Sequence, residues 1–276
     1  MRGQLCTMLG IEIPIVQAPM GGAVPVRLAA AVSDAGALGT LPLWRADLET
    51  LRRTLRKMRS LTSRPFAVNL NMEFSQEDRL EVCLEEGVPI ISFFWRDPGA
   101  LVKRAKAGSA TVLYTVGAAV DARRAVDGGV DVIVAQGWEA GGHVRGTVAT
   151  LPLVPAIIDA VGDTPVLAAG GIADGRGMAA ALALGAAGVW VGTRFLAAQE
   201  VSIHPEYQRR ILAASENDTV YCENLFDGGW ANAPHRCCAT VPFVTGRRRV
   251  GRLPVNGQAR ARSWRGQRHV EKLTGT

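Results

Sequence analysis

A glycine-rich loop in the middle of the chain ends at a histidine. The loop reads Gln-Gly-Trp-Glu-Ala-Gly-Gly-His over residues 136–143. An imidazole titrates near neutral pH, so His143 could remove a proton from a carbon acid without a large shift of its pKa. The neighbouring glycines leave space for a substrate. A loop histidine can also be a surface or structural residue, so the catalytic interpretation depends on a fold that brings His143 to a pocket.

Two further glycine motifs lie nearer the carboxyl terminus, Gly170-Gly171 and Gly192-Thr193. Each follows a predicted strand and leads into a predicted helix, where free backbone N–H groups can bind an anion. Glycine lets a ligand approach that backbone closely. One motif alone would be explained by a tight turn, whereas two after consecutive strands favour a phosphate site.

The other polar candidates have weaker contexts. Asn69 and Gln136 end predicted strands and could form structural hydrogen bonds there. Glu139 could be an acid/base partner or a solvated loop carboxylate. The remaining histidines lie in contexts that do not predict metal ligation: His204, His235 and His269. Three tryptophans are most simply packing residues: Trp138, Trp190 and Trp230.

Eight short β-rich runs alternate with helix-length segments whose apolar residues recur at three and four spacing. The predicted strands are Ile15–Ala18, Ala37–Thr40, Phe66–Asn69, Ile90–Phe94, Thr111–Val116, Val132–Gln136, Pro165–Ala169 and Gly188–Gly192. Successive strand ends are 20 to 33 residues apart, enough for one strand, one helix and two loops. This rhythm predicts parallel βα units.

Eight such units predict an α/β protein with the (β/α)₈ TIM barrel fold, which typically needs roughly 250 residues. The chain has 276 residues and contains no G-x-G-x-x-G loop of the kind that marks many open doubly wound sheets. In a barrel the segments that follow the strands meet at one mouth, where active sites lie. The histidine loop and both glycine motifs are expected at that mouth.

Composition favours a soluble, cytoplasmic protein. Glu12 and Pro14 interrupt the first apolar run, so no signal peptide is predicted. The longest uncharged stretch has 17 residues, lies between Arg176 and Arg194 and contains four glycines, which argues against a membrane span. Five cysteines without a paired motif predict reduced thiols and no metal site.

The positive charge is concentrated in the last forty residues. Residues 237–276 hold nine Lys/Arg against one acidic residue, a net charge of +8, whereas residues 1–236 hold 22 against 24, a net charge of −2. We therefore divide the chain into a barrel over residues 1–236 and a basic tail over residues 237–276. The composition of the tail predicts either disorder or a shifted reading frame. The tail lacks the motifs of nucleic-acid recognition, so no nucleic-acid partner is expected.

Several strings together resemble the nitronate monooxygenase family, formerly called 2-nitropropane dioxygenases. They are APMGG, NLN, VDVIVAQGWEAGGH, LAAGGIADGRG and GVWVGTRFLAAQE, and the likeness covers roughly residues 10–236. The combination of the AQGxEAGGH string with the GGI and VGT loops is specific, whereas each alone would be weak.

The resemblance implies an FMN-containing barrel. In such an enzyme the histidine matching His143 removes the α-proton of a nitroalkane or meets its nitronate, and dioxygen reoxidises the flavin, giving a carbonyl compound and nitrite. The expected partners are therefore a small nitro compound and dioxygen, with the oligomeric state open. The matching motifs place FMN contacts at Pro19, Met20, Asn69, Gln136, Gly141, Gly170, Gly171, Trp190, Val191, Gly192 and Thr193.

Two alternatives stay open at this point. The same strings occur in relatives that reduce enoyl thioesters on acyl carrier protein with NAD(P)H and FMN. The second alternative is an inactive barrel with a defective carboxyl-terminal region. Members of the family continue past the stretch matching residues 224–236 with a helical segment, and this tail does not resemble it.

Overall fold

The computed structural model describes residues 3–223, 230 and 232–238, together with the backbone of residues 244–245 and 248–249. The chain divides into two compact units, Met1–Val241 and Pro242–Thr276. The first unit contains every element that positions the candidate site. In the second unit, strands β12 (Val244–Thr245) and β13 (Arg248–Arg249) pair in antiparallel fashion.

Eight parallel strands form the central sheet. They are β1 (Ile15–Gln17), β2 (Gly39–Pro42), β3 (Phe66–Asn71), β4 (Ile90–Phe94), β5 (Thr111–Val116), β6 (Val132–Gln136), β8 (Val166–Ala169) and β9 (Gly188–Val191). All eight predicted strands are present, with ends that differ by at most two residues.

The sheet closes into a barrel, as the sequence predicted. The strand order is β1-β9-β8-β6-β5-β4-β3-β2, and a parallel bridge between Val16 and Leu38 joins the two ends. The Gln17 N–H donates to the Leu38 carbonyl at 2.9 Å, which supports this closure. The fold is therefore the expected (β/α)₈ TIM barrel.

Helices alternate with the strands along the chain. They are α1 (Gln4–Leu9), α2 (Val26–Asp34), α3 (Leu48–Leu61), α4 (Glu77–Glu85), α5 (Ala100–Ala107), α6 (Ala119–Asp127), α7 (Thr150–Val161), α8 (Gly175–Ala183) and α9 (Pro205–Ala213). Helix α3 illustrates why these segments are helical. Leu51, Leu55 and Met58 are three or four residues apart, so they lie on one face of the helix, and all are fully buried. Its first turn is capped by Asp47, whose carboxylate accepts from the Thr50 N–H at 2.8 Å.

Two apolar clusters stabilise the barrel. One combines strand side chains with the surrounding helices. The other contains side chains from the barrel interior, such as Val134, Leu167 and Trp190, together with residues of α1 such as Leu5. Leu5 also lies beside Gly188, the first residue of β9, so α1 packs at the amino ends of the strands. The opposite, carboxyl end is left for the site.

A small antiparallel sheet accompanies the barrel, and the strand pattern of the sequence did not predict it. It contains β7 (Gly142–His143), β10 (Thr219–Cys222) and β11 (His235–Cys238) in the order β10-β11-β7. Strand β11 therefore includes Cys237 and Cys238, the first two residues of the predicted tail. The prediction for the rest of the tail lies outside the described residues, apart from β12 and β13.

No helix in the described part of the chain is long and apolar enough to span a lipid bilayer.

Candidate active site

The loop that carries His143 is held by hydrogen bonds at its base. The side-chain amide of Gln136, the last residue of β6, donates to the His143 carbonyl at 2.9 Å and accepts from the Arg145 N–H at 3.1 Å. The Arg145 guanidinium contacts the Tyr114 hydroxyl and pairs with Asp121 at 3.6 Å. Gln136, a predicted flavin contact, is thus engaged in holding the backbone on both sides of His143.

The His143 imidazole is packed among other rings. Trp230 stacks on it with ring centroids 3.6 Å apart and planes 24° apart. The His235 ring lies perpendicular to it at 4.8 Å and Trp95 at 6.0 Å. The Nε2 atom of His143 is buried and has no hydrogen-bond partner in the described structure. No protein group therefore competes for this nitrogen, and the rings that cover it would have to move for a substrate to reach it.

Burial among these rings lowers the pKa of His143 from 6.5 to about 3, and nearby positive charge at His235 and Arg45 adds to the effect. Burial also lowers the pKa of His235, to about 4. Both imidazoles are therefore neutral at pH 7. A neutral imidazole is the form that a general base requires.

Aromatic side chains from the mouth of the barrel form one continuous group, which we call the aromatic wall: Trp44, Phe74, Phe94, Trp95 and Trp230. Trp44 stacks on Phe74 at 5.3 Å, and Trp230 lies 4.9 Å from Trp95. The first four come from the carboxyl ends of β2, β3 and β4 or the segments just after them. Trp95 has a φ of +88°, a left-handed conformation that costs energy for a non-glycine residue.

Glu139 has a structural role that neither sequence interpretation included. Its carboxylate accepts from the Thr150 N–H at 2.9 and 3.1 Å, and so caps the start of α7. The Thr150 hydroxyl lies 3.2 Å from Glu139 Oε2 and donates to the Gly170 carbonyl at 3.1 Å. The histidine loop, α7 and the segment after β8 are thus tied together at Thr150.

The predicted phosphate site lies where β8 and β9 end side by side. Gly170 and Gly171 have φ values of +105° and +68°, which glycine adopts without strain. A Cβ at Gly170 would lie 2.9 Å from Thr150 Oγ1, whereas at Gly171 and Gly192 its nearest neighbours would be 3.9 and 3.5 Å away. Gly171 and Gly192 are therefore not crowded, and the group nearest to Gly171 is the Glu139 carboxylate.

The structure refines the idea that helix starts bind the anion. At α8, the Asp174 carboxylate already accepts from the Arg176 and Gly177 N–H groups, at 2.9 and 3.3 Å. After β9 the chain forms only a short 3₁₀ helix, Thr193–Ala197, without a side-chain cap. The backbone around Gly171, Gly192 and Thr193, rather than the α8 terminus, is what remains open to an anion.

Several predicted contacts converge on this cradle of glycines. A Cβ at Gly141 would lie 2.8 Å from Thr193 Oγ1, so only glycine lets the histidine loop approach so closely. The Met20 sulfur, next to Pro19 after β1, would lie 3.8 Å from a Cβ at Gly192. Three loops that are distant in sequence therefore meet at one place.

Other predicted contacts are engaged in packing or hydrogen bonds. The Asn69 amide donates to the Ser92 carbonyl at 3.2 Å and lies 3.3 Å from its hydroxyl, inside the barrel. The Trp190 side chain belongs to the interior cluster, and that of Val191 packs with the surrounding helices. Among the described residues no group of three or more His, Cys, Asp or Glu is arranged to hold a metal ion.

Two residues next to His143 were not singled out from the sequence as functional, namely Trp230 and His235. They follow His143 by 87 and 92 residues. No local motif marks either one, because the contact arises only when β11 pairs with β7.

The fold defines the class of the chain, a (β/α)₈ barrel whose candidate site lies at the carboxyl ends of the strands. The family model for nitronate monooxygenase matches residues 2–78 and 70–240. The chain belongs to the nitronate monooxygenase family.

Individual relatives carry two kinds of name. A Mycobacterium tuberculosis protein named (3aS,4S,5R,7aS)-5-hydroxy-7a-methyl-1-oxo-octahydro-1H-indene-4-carboxyl-CoA dehydrogenase is 40% identical over 87% of this chain, and a Rhodococcus jostii protein of the same name is 39% identical over 87%. The chain spans 67% and 66% of their lengths. A probable nitronate monooxygenase of Staphylococcus saprophyticus is 32% identical, with 77% of this chain and 73% of that protein covered.

Two solved structures have the same fold as this chain. FabK from Thermotoga maritima superposes with a TM-score of 0.80 at 38% identity, covering 86% of this chain and 75% of that one. Nitroalkane oxidase from Streptomyces ansochromogenes superposes with a TM-score of 0.76 at 29% identity, covering 84% and 78%.

Proposed function

We propose that this protein is an FMN-dependent enzyme that oxidises nitroalkanes and their nitronates with dioxygen to a carbonyl compound and nitrite. The observation that carries the proposal is the buried Nε2 atom of His143, which has no hydrogen-bond partner in the described structure. Membership of the nitronate monooxygenase family supports it.

The residues present fit FMN. The open backbone at Gly171, Gly192 and Thr193 would hold the phosphate, and Met20 and Gly141 lie beside it. A bound flavin would supply the electron acceptor that amino-acid side chains lack. The space next to Gly171 and Gly192 is the feature of this chain on which the assignment rests.

His143 would act on the carbon acid. The proton on the carbon next to a nitro group is acidic, so a neutral imidazole can remove it and leave the nitronate. The aromatic wall excludes water from the ring, which keeps His143 neutral before the reaction. Gln136 and Glu139 hold the loop and would keep Nε2 in place.

The direct test is nitrite release by purified protein reconstituted with FMN, with nitroethane or ethyl nitronate and dioxygen and without nicotinamide. We expect turnover of both substrates. Strict dependence on reduced nicotinamide would contradict the proposal.

A second candidate is oxidoreduction of an acyl thioester, including reduction of an enoyl thioester with NAD(P)H. The relatives named as carboxyl-CoA dehydrogenases, at 40% and 39% identity, favour it. A proton next to a thioester carbonyl is also acidic, so the same base would serve. NADPH oxidation that requires an enoyl thioester, without nitrite release from nitro compounds, would favour this candidate.

An inactive barrel is the third possibility considered from the sequence. It predicts that the protein shows no flavin absorbance even after incubation with FMN. We expect instead the two bands of oxidised flavin after removal of free FMN.

A further inference from the structure

His235 faces His143 across two paired strands. In the antiparallel pair of β11 with β7, His235 is the register partner of His143, and Arg236 is the partner of Gly142. The Val144 N–H also donates to the Pro234 carbonyl at 2.9 Å. Strand β11 thus fixes the backbone on both sides of the base.

The contact extends to the side chains. The two imidazole rings lie 4.8 Å apart at 89°, while Trp230 stacks on His143 at 3.6 Å. A ring held by one stacked and one perpendicular neighbour has little freedom to rotate about χ2. Strand β7 has only two residues, and the first of them, Gly142, has a φ of +75°, so the loop alone would hold this ring poorly.

The pair also has an electrostatic consequence. Besides burial, two groups oppose a proton on His143, namely His235 on β11 when it is itself protonated and Arg45 in the segment after β2. A proton on His235 would disfavour a second proton on His143, because like charges at this distance repel. The His235 ring contacts the His143 ring directly. The Arg45 guanidinium instead lies over the rings of Trp44 and Phe74.

We propose that His235 is a positioning residue that holds the plane of the His143 imidazole and, once protonated in acid, opposes a proton on His143. The proposal rests on the proposed role of His143 as base, but its first test needs no substrate.

Two substitutions separate ring packing from charge. His235→Phe keeps a flat ring of similar size and removes the charge, whereas His235→Ala removes both. His204→Asn is the matched control, since His204 is exposed and caps α9 by accepting from the Glu206 N–H at 3.2 Å, a role that Asn can fill.

The first measurement is an NMR titration of the His143 imidazole in the FMN-reconstituted protein. We expect a pKa near 3 in the parent. It should rise in His235→Phe yet stay below 6.5, because burial is the larger cause of the shift. His204→Asn should leave it unchanged. The same pKa in His235→Phe and in the parent would overturn the electrostatic part of the proposal.

The second measurement is the pH profile of kcat and KM with nitroethane. His235→Ala should lower kcat about 10- to 100-fold, the cost of a misplaced base, with little change in KM. His235→Phe should keep most of the parent kcat near pH 7. The acid limb of its kcat profile should lie at higher pH than in the parent. In a His143→Asn background, His235→Ala should cause no further loss.

These outcomes distinguish the two proposals. If no variant or parent oxidises nitro compounds but the titration shift is present, the proposed substrate class is wrong and the coupling of the two histidines stands. If the parent is active and both His235 variants keep its kcat and pH profile, His235 does not position the base. An equal loss from His235→Ala with and without His143 would likewise contradict the proposal.

Discussion

The two halves of the candidate site are built in different ways. The glycine cradle consists of backbone at the ends of two neighbouring strands, β8 and β9, and its shape depends on positive φ values at Gly170 and Gly171. The histidine half consists of side chains, where His143 is packed by Trp230, His235 and Trp95 from other parts of the chain. One half is local in sequence and the other is not.

This difference predicts different responses to substitution. Changes in the cradle should alter cofactor binding or stability, because they act on the backbone. Changes in the histidine half should alter the chemical step and its pH dependence, because they act on one ionisable ring. The contact of Glu139 and Thr150 with Gly170 is where the two halves meet.

The largest effect is expected at His143. Asn keeps a similar size and a hydrogen-bonding edge but cannot accept the proton, so His143→Asn should lower kcat/KM for neutral nitroethane about 10²–10⁴-fold. FMN should stay bound, as judged by flavin absorbance after desalting. Loss of FMN in this variant would make His143 part of the cofactor site and erase the contrast between the two halves.

The next effect concerns the cradle and uses two adjacent glycines. Gly170→Ala places a Cβ 2.9 Å from Thr150 Oγ1 at a φ of +105°, and should lower the free energy of unfolding by about 1–3 kcal/mol. Gly171→Ala puts its methyl group in ordinary contact with Glu139, 3.9 Å away, at a φ of +68°, so it should cost less stability, about 1–2 kcal/mol.

The two variants should rank in the opposite order for their loss of FMN affinity. The methyl group of Gly171→Ala enters the proposed phosphate position, so FMN affinity should fall more than in Gly170→Ala. Denaturant unfolding of the apoprotein and FMN fluorescence titration check both. Equal FMN affinities in the two variants would argue against a phosphate at Gly171.

The sequence predicted the barrel well for a physical reason. A parallel strand buried on both faces reads as a short apolar run, and β4, β5 and β6 have the predicted ends. Gly170 and Gly171 are recognisable in the sequence because the glycines that shape the backbone are themselves the proposed site. Even here the Asp174 cap on α8 was missed, although an Asp just before a helix is a familiar signal.

The surroundings of His143 could not be predicted in the same way. His143 itself was identified, but the loss of solvent that shifts its pKa comes from Trp95 and Trp230, which lie 48 residues before it and 87 after it. Strand β7 has two residues, too few for any periodicity. Its existence depends on β11, so the pattern of one sequence does not reveal it.

A smaller effect is expected where the two halves meet. Glu139→Ala removes the cap of α7, which should lower the free energy of unfolding by about 0.5–2 kcal/mol. Asp47→Ala removes the cap of α3, far from the site, and is the matched control. Both should lower Tm, but only Glu139→Ala should also lower kcat. Equal kcat values in the two variants would show that the cap does not position the histidine loop.

A further effect is on stability in acid. In the folded protein the pKa of His143 is lowered to about 3 from 6.5, so the unfolded chain takes up this proton first as the pH falls. Stability from this residue is complete above pH 6.5 and is lost as the pH falls towards 3. The fall in Tm between pH 7 and pH 5 should therefore be smaller in His143→Asn than in the parent. A steeper fall in the variant would contradict the neutral, buried imidazole.

The most direct test of the account is to compare nitroethane, nitroethane deuterated at the α-carbon and preformed ethyl nitronate in the parent and in His143→Asn. If His143 removes the proton from carbon, the parent shows a primary isotope effect on kcat/KM with nitroethane. The variant then loses activity mainly with nitroethane and much less with the nitronate. Equal losses for both substrates, or undiminished oxidation of nitroethane by the variant, would contradict the role of His143 as the base.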